Sequence, residues 1–502
     1  MPEHRVVIAG AGPNGLLLAR ELALAGVHPV VLDRLPGPGV EPKANGLVGQ
    51  VVRQLDMRGL YEVLTAAAGP PEPVEQWMFS GLQVPLSGLA DNPMYTLMIT
   101  QPDLVRVLGE QVAALGVTVR WNHEVTGVTD EPDGVRITVA TPDGPDTLTA
   151  EYLVGADGGR SVVRKIAGIP FPGHTSGTVS RLAHVHIPDE LRTTDGGMDV
   201  PGYGRVAFGH TRLDRGGLVF ADMGHGNPLL GVIEFDESDP DSAGEPMTLA
   251  ELDRSVRRVL GVEVPFGPPR GDGPHALRRI AGQNTRQVTD YRSGRLLLLG
   301  DAAHVHSAMG GPGLNLGLAD AMNLGWKLAA TVRGQAPAGL LDTYHTERHP
   351  VGRRVMMQSL SQTALFSPGP EIGALRELLA ELLTLPAVAR HMAGLLAGSD
   401  VRYDVGDDHP LSGRLVPDLV LDDGRRIAEL LHPGRPVLVG AHVPDADAVQ
   451  VVRARIVDGP DAVLIRPDGY VAWASDDPAH AGLDAALARW VGEKTPVLVT
   501  RR

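Results

Sequence analysis

The hydrophobic pattern of this chain marks three short buried strands, each delivering a loop rich in glycine and acid. Arg5-Val6-Val7-Ile8-Ala9 is a near-continuous apolar run, which predicts a strand buried on both faces. It leads into Gly10-Ala11-Gly12-Pro13-Asn14-Gly15. Leu16 to Ala25 then predicts a helix, stopped at Gly26, a suitable residue just past a helix end. A second strand, Pro29 to Leu32, ends at Asp33. Far along the chain, Tyr152-Leu153-Val154 runs into Gly155-Ala156-Asp157-Gly158-Gly159. Further still, Arg295-Leu296-Leu297-Leu298-Leu299 delivers Gly300-Asp301. Met309-Gly310-Gly311-Pro312-Gly313-Leu314-Asn315 then opens a long helix through about Ala330.

The first loop has the strand, glycine turn, helix and second strand that a GxGxxG needs before it can be read as a dinucleotide site. Gly10 permits the tight turn, Gly12 lets the backbone approach a pyrophosphate, and Gly15 lets helix and strand pack closely. The helix start offers free N–H groups and partial positive charge to an anion. Asp33 lies 18 residues after Gly15, near the spacing expected for an acid that grips ribose hydroxyls. An acid there disfavours a 2′-phosphate, so FAD or NAD fits better than NADP. Asp157, with Arg160 and Arg164 just beyond, suits either the edge of a phosphate site or, taken alone, a structural turn. Asp301 could accept hydrogen bonds from ribityl hydroxyls. The N–H groups around Gly311, Gly313, Leu314 and Asn315 would face a flavin pyrimidine edge and stabilise negative charge on it. In this order, the signatures predict one discontinuous fold built around FAD.

Between about Thr175 and Arg278, candidate strands at Arg181–Ile187, Gly204–Gly209, Gly217–Met223 and Leu229–Phe235 alternate with Gly, Pro and Asp clusters. They predict an antiparallel sheet. With part of Gln76 to Ile99, its apolar face would cover the flavin ring and shape a substrate pocket. Leu341 to about Ala397 is Leu-rich and helical, and predicts packing rather than chemistry. Beyond Asp400, Pro436–Val439 and Ala462–Ile465 read as strands, the latter followed by a turn and another strand through Trp473. Trp77, Trp121, Trp326, Trp473 and Trp490 are scattered and read as core or interface residues. His304 and His306 read as hydrogen-bonded structural residues rather than metal ligands.

The 502 residues predict more than one domain, and 43% hydrophobic content is that of a globular protein. A net charge of −15 without any Lys/Arg block argues against nucleic acid or an anionic membrane as partner. The chain has no cysteine, which excludes disulfides, thiolate metal sites and a cysteinyl flavin link. The first strand begins so early that no signal peptide is expected, and no apolar stretch has transmembrane length. A cytoplasmic protein is the expectation.

The segment Gly300-Asp301-Ala302-Ala303-His304-Val305-His306, continuing through Gly310 to Asn315 and Asp320-Ala321-Met322-Asn323-Leu324-Gly325-Trp326-Lys327-Leu328, resembles the signature of the class A flavoprotein monooxygenases. Within that para-hydroxybenzoate hydroxylase fold, the chain most resembles the aromatic polyketide hydroxylases over its whole length. The resemblance implies an α/β protein: an FAD-binding Rossmann-like (GR2/PHBH-type) domain, an antiparallel β-sheet substrate domain and a C-terminal thioredoxin-like domain. Segments 1–75, 100–175 and 279–335 would bind FAD, and 76–99 with 176–278 would form the substrate domain. A helical connection would cover 336–399, and 400–502 the tail, which without cysteine cannot exchange thiols.

Carried over by position, Gly10, Gly12, Pro13, Asn14 and Gly15 would cradle the pyrophosphate, with Asp33 and Arg34 at the adenosine end. Lys43 would stand near the cofactor, Gln101 near its ribityl chain and Arg106 near its phosphates. Asp157 and Asp301 belong to the family's second and third motifs. Many polyketide hydroxylases have arginine at the position of Gln50, proline at Ala308 and glutamine at Pro312, so flavin-side hydrogen bonding differs here. The implied activity is hydroxylation of a polycyclic aromatic polyketide or similar phenolic through a C4a-hydroperoxyflavin, with NAD(P)H and O₂ as co-substrates. Baeyer–Villiger oxidation, epoxidation and a flavin-binding scaffold without turnover are the alternatives, and a homodimer stays open. No side chain in the sequence declares itself a catalytic base.

Overall fold

The computed structural model describes residues 2–41, 43–222, 226–235, 245–307, 309 and 311–492. Met223, Ala308, Gly310 and the chain beyond 492 lie outside the described residues.

Four strands set the plan. His4–Ala9 pairs in parallel with Gly144–Gly155 on one side and Val30–Asp33 on the other. Gly144–Gly155 in turn pairs in parallel with Leu296–Leu298. Thr118–Trp121 extends the sheet beyond Val30–Asp33, and Arg292–Ser293 closes the opposite edge. The register sets Ala9 opposite Gly155 and Gly155 opposite Leu298, so the three glycine and acid loops leave one sheet at one edge. Val6, Val7, Ile8, Leu153, Val154, Leu297 and Leu298 are fully buried, as strands of a parallel sheet covered on both faces are. Helices Pro13–Leu24 and Pro312–Val332 pack on each other. They approach closely where a Cβ on Gly325 would stand 2.5 Å from Glu21 Cβ.

A five-stranded antiparallel sheet stands over that edge, in the order Gly209–Leu213, Gly216–Ala221, Leu229–Glu234, Val179–His184, Leu277–Ala281. The expected strand over Gly204–Gly209 is two pieces. Gly204–Val206 pairs with Met198–Val200 in a separate ribbon, and Gly209–Leu213 starts the main sheet. Gly209, at φ +99°, makes the break. The Gln76–Phe79 and Leu82–Pro85 hairpin forms its own ribbon. Its Phe79 and Val84 share a core with Leu365, Leu383, Ala393 and Ala397 of the helical segment.

The helices after the sheet are Thr343–Phe366, Pro370–Leu383 and Pro386–Ala397. The tail carries a four-stranded sheet, ordered Gln450–Val452, Val437–Gly440, Ala462–Ile465, Val471–Ser475, with Leu483–Trp490 as its last described helix. Trp326, Trp473 and Trp490 fill the core between this tail and the Pro312–Val332 helix.

Buried charge ties tail to dinucleotide domain. Glu347 receives Arg466 through both carboxylate oxygens, at 2.7 and 2.8 Å, and Lys327 at 2.7 Å. Asn323 donates to Glu347 at 2.7 Å and to Asp468 at 3.1 Å. One turn away, Asp320 accepts from Arg348 at 2.7 Å and bonds His304 at 2.6 Å, and Arg348 reaches the Tyr403 hydroxyl at 3.0 Å. Burial alone would raise the Glu347 carboxyl, but Arg466 and then Lys327 outweigh it and hold it below the usual carboxylate range. Burial draws Lys327 down to about 8, so it stays largely protonated at neutral pH.

Removing one partner of such a pair leaves an uncompensated buried charge. Arg466→Met is expected to destabilise the protein by about 3–5 kcal/mol in denaturant unfolding. The Glu347 carboxyl is lower when folded than when unfolded, so its contribution is full above pH 4.5 and fades as the solution is acidified below that value. Unfolding free energy measured down this range should fall faster for wild type than for Glu347→Gln.

Candidate functional site

The three strand tips are held together by close backbone contacts that exclude side chains. Gly10 sits at φ +111°, and a Cβ there would stand 2.3 Å from the Ala156 carbonyl of the second loop. A Cβ on Gly15 would stand 2.0 Å from the Gly10 carbonyl, which accounts for the tight entry of the first helix. Asn14 wedges between the first loop and the third: Cβ atoms on Gly300 and Gly317 would meet its Nδ2 at 2.2 and 2.3 Å. Asp33 ties in the neighbouring strand, accepting the Ala11 N–H at 2.7 Å and the Leu35 N–H at 2.8 Å. Arg164 joins the second and third loops, donating to the carbonyls of Gly159 and Ala302 at 2.9 Å each. Its guanidinium lies 3.9 Å from the Phe171 ring centroid. Of the two roles left open for this segment, Arg164 takes the structural one, while Arg160 lines the cavity.

A cavity of about 1150 Å³ opens at these tips and runs to the covering sheet. Gly10, Gly12, Pro13 and Asn14 of the first loop line it, as do Asp33, Arg34 and Lys43. So do Gln101, Asp157, Asp301, Gly311, Gly313 and Leu314. Three predicted residues stand outside this lining, two of them acting from behind it. Gly15 serves the packing just described. Asn315 accepts the Val48 N–H at 2.9 Å and donates to the Gly311 carbonyl at 2.8 Å, fixing the Leu47–Val48 strand to the start of the long helix. Arg106 is not brought to the cavity. Its side chain is 59% exposed and pairs with Glu110 at 2.9 Å. Five helical positions after Gln101, it faces another side of the Gln101–Ala114 helix. Gln50 is buried away from the lining, bonding the Pro93 carbonyl at 2.9 Å and Arg53 at 3.1 Å.

The lining matches the parts of FAD. Arg34, Lys43 and Arg160 are cations that line the cavity of a chain whose net charge is −15. Asp157 caps the Val162–Ile166 helix with Oδ2, accepting the Val162 N–H at 2.6 Å. Its Oδ1 and the Asn14 Oδ1 are buried acceptors with no hydrogen-bond partner among the described residues. Gly12 and Gly311 face open space, since an added Cβ at either would meet nothing within 4 Å. Gly311, at φ +67°, precedes Pro312 at the first turn of the helix, so that helix start presents bare backbone to the cavity.

The far wall belongs to residues that the sequence did not single out: Gln76, Met78, Gln83, Phe208, His210 and Gln362. Trp77, expected as a core or interface residue, packs against the Phe79 and Val84 core and lines the cavity as well. His306 lines it beside the long helix start, with Nδ1 bonded to the Ser307 carbonyl at 2.9 Å, and burial lowers its pKa. His304 is instead the fully buried partner of Asp320.

Gly12 adopts an ordinary φ of −71°. Gly12→Val is therefore expected to change folding stability by no more than about 0.5 kcal/mol. Its side chain enters the cofactor space, so FAD binding should weaken roughly tenfold or more, read from flavin fluorescence on titration of apoprotein.

Comparison with known proteins agrees with this geometry. The FAD binding domain family matches residues 3–359, and the aromatic-ring hydroxylase C-terminal family matches 409–494. A 12-dehydrotetracycline 5-monooxygenase/anhydrotetracycline 6-monooxygenase from Streptomyces rimosus is 38% identical over 97% of this chain and 99% of its own length. A dialkyldecalin synthase from Streptomyces rugosporus is 37% identical, covering 97% of this chain and 98% of its own. The solved OxyS anhydrotetracycline hydroxylase from Streptomyces rimosus superposes with a TM-score of 0.85 at 36% identity, covering 98% of this chain and 99% of that one. This chain belongs to the FAD-dependent aromatic-ring hydroxylases, the class A flavoprotein monooxygenases.

Proposed function

We propose that this monooxygenase uses NAD(P)H to hydroxylate a polycyclic aromatic polyketide or a similar phenolic in the cytoplasm. The observation that carries the reading is the continuity of one cavity from the dinucleotide loops to the covering sheet. Relatives named for tetracycline precursors support a flat, fused-ring phenol as the substrate class.

The residues present divide the work. Bound FAD would supply the activated oxygen, which no side chain can provide. The first helix start and Arg34, Lys43 and Arg160 would hold the pyrophosphate, and Asp33, Asp157 and Asp301 offer acceptors to its sugar hydroxyls. The N-terminus of Pro312–Val332 brings partial positive charge to the lining, where negative charge on a reduced ring would be stabilised. Trp77, Met78, Phe208 and Val219 give the far side an apolar wall that suits flat rings and excludes water. Gln76, Gln83 and Gln362 supply amides that can orient polar substituents.

The synthase relative favours a second reading, a ring-forming catalyst that transfers no oxygen. Isotopic oxygen separates the two. With ¹⁸O₂, NADPH and a polycyclic phenol such as anhydrotetracycline, the monooxygenase reading expects phenol-stimulated NADPH consumption and a product heavier by one labelled oxygen. NMR of the product then distinguishes a ring hydroxyl from an inserted or epoxide oxygen. Product without label, or phenols that never accelerate NADPH consumption, would count against it.

A further inference from the structure

The chemistry leaves one requirement without an owner. A phenol attacks an electrophilic oxygen far better as its phenolate, so something on the substrate side must take the hydroxyl proton. The covering sheet carries one imidazole into the cavity, that of His210 on the Gly209–Leu213 strand. Its ring stands edge-on to Phe366, with centroids 6.0 Å apart. Neither ring nitrogen has a hydrogen-bond partner among the described residues, and neither is an enclosed unsatisfied atom. An imidazole packed on one side by a phenyl ring and left unbonded is an unusual use of a polar group unless a ligand completes it.

We propose that His210 is the catalytic base of this site, accepting the phenolic proton of the substrate. The step rests on the phenolic-substrate reading given above. The phenol O–H bond breaks, its proton passes to a free ring nitrogen, and the electron pair stays on oxygen. That pair feeds the ortho and para carbons, one of which would form the new C–O bond as the O–O bond of the oxygen donor breaks. The proton on that carbon would pass to the oxygen left on the donor, restoring aromaticity, and the imidazolium returns its proton to the phenolate oxygen, leaving His210 neutral.

The surroundings keep the ring in its accepting form. Burial lowers the His210 pKa, so the ring is neutral and able to accept near pH 7. Arg212 lies two residues along the strand, on the same face, and is held by the carbonyls of Ser367 and Gly369 at 2.8 and 3.0 Å. Arg376 bonds the carbonyls of Ser80 and Leu365 at 2.7 and 3.0 Å. From the Cβ position of Gly81 its Nη2 would lie 3.7 Å away and the His210 carbonyl 2.9 Å away. Val219, the strand partner of His210, and Met78, which would meet a side chain at Gly209 at 2.5 Å, bring no charge. The carboxylate lining this side, Asp195, is already engaged by Thr193 at 2.7 Å and by Arg205. His306 stands on the opposite side, 3.2 Å from the Cβ position of Gly313 at the long helix start.

The test titrates alizarin, a dihydroxyanthraquinone whose colour reports its ionisation, against the FAD-loaded enzyme between pH 5 and 9. Wild type, His210→Asn and His210→Gln are compared, the last two keeping a hydrogen-bonding amide without a proton-accepting nitrogen. FAD content and circular dichroism confirm folding in all three. The proposal expects bound alizarin to ionise at least about one pH unit lower than free alizarin in wild type, a tenfold change in proton affinity. Both variants should still bind it and should lose that shift. Equal ionisation curves in wild type and variants would overturn the assignment to His210. If no protein perturbs the alizarin spectrum and no polycyclic phenol accelerates NADPH consumption, the phenolic-substrate reading fails, and this proposal with it.

Discussion

The site depends on a steric constraint at the edge of one sheet. Three loops separated by more than a hundred residues each must meet within van der Waals distance, and the backbone of each fills the space that the others' side chains would need. Gly10 lies on the Ala156 carbonyl, Gly15 on the Gly10 carbonyl, and Gly300 and Gly317 on the Asn14 amide. The parallel register Ala9–Gly155–Leu298 brings those loops to the same level. A cavity fit for a dinucleotide is then the space left on the open side, where Gly12 and Gly311 carry no side chain to fill it. The same glycine chemistry thus closes one side of the loops and opens the other.

A second constraint acts at a distance. The Pro312–Val332 helix begins at the cavity and carries Asp320, Asn323 and Lys327 along its buried face. These residues do not touch the cavity. They engage Arg348 and Glu347 on the next helix, which engage Tyr403, Arg466 and through it Asp468 of the tail. Three carboxylates and three cations cancel in a buried interior, with Arg466 packed among Trp326, Tyr403, Tyr470 and Trp490. The helix whose first turn faces the flavin space is therefore anchored by the C-terminal domain. This gives the cysteine-free tail a physical role, rigid placement of that helix, that needs no thiol chemistry.

Much of this is legible locally in the sequence, and some of it is not. A glycine loop after an apolar run announces its geometry within ten residues, so the amino-acid pattern alone assigns Gly10 to Gly15, Asp157 and Asp301 to one edge. Arg106, carried over from the family by position, does not line the cavity, because it faces another side of its helix from Gln101. Arg164 could serve phosphate or carbonyls as far as the sequence tells, and only the fold commits it to carbonyls. The Gly204–Gly209 run reads as one strand because its break depends on the left-handed turn at Gly209, invisible in composition. The signature from Asp320 to Lys327 is recognisable, but its use is not: its partners on other elements stand 16 to 145 residues away in the chain. His210, Trp77 and Gln362 reach the cavity from three unrelated segments, and a lone side chain on a covering strand has no spacing that marks it.

The account stands on the claim that the strand tips hold one flavin dinucleotide, with its ring toward the covering sheet. The most direct measurement is a spectroscopic titration of FAD onto folded apoprotein, its fold checked by circular dichroism. The account predicts saturation at one FAD per chain, with flavin absorbance perturbed again when a polycyclic phenol is added. Folded protein that takes up no FAD, or a bound flavin whose spectrum is blind to every phenol offered, would contradict it.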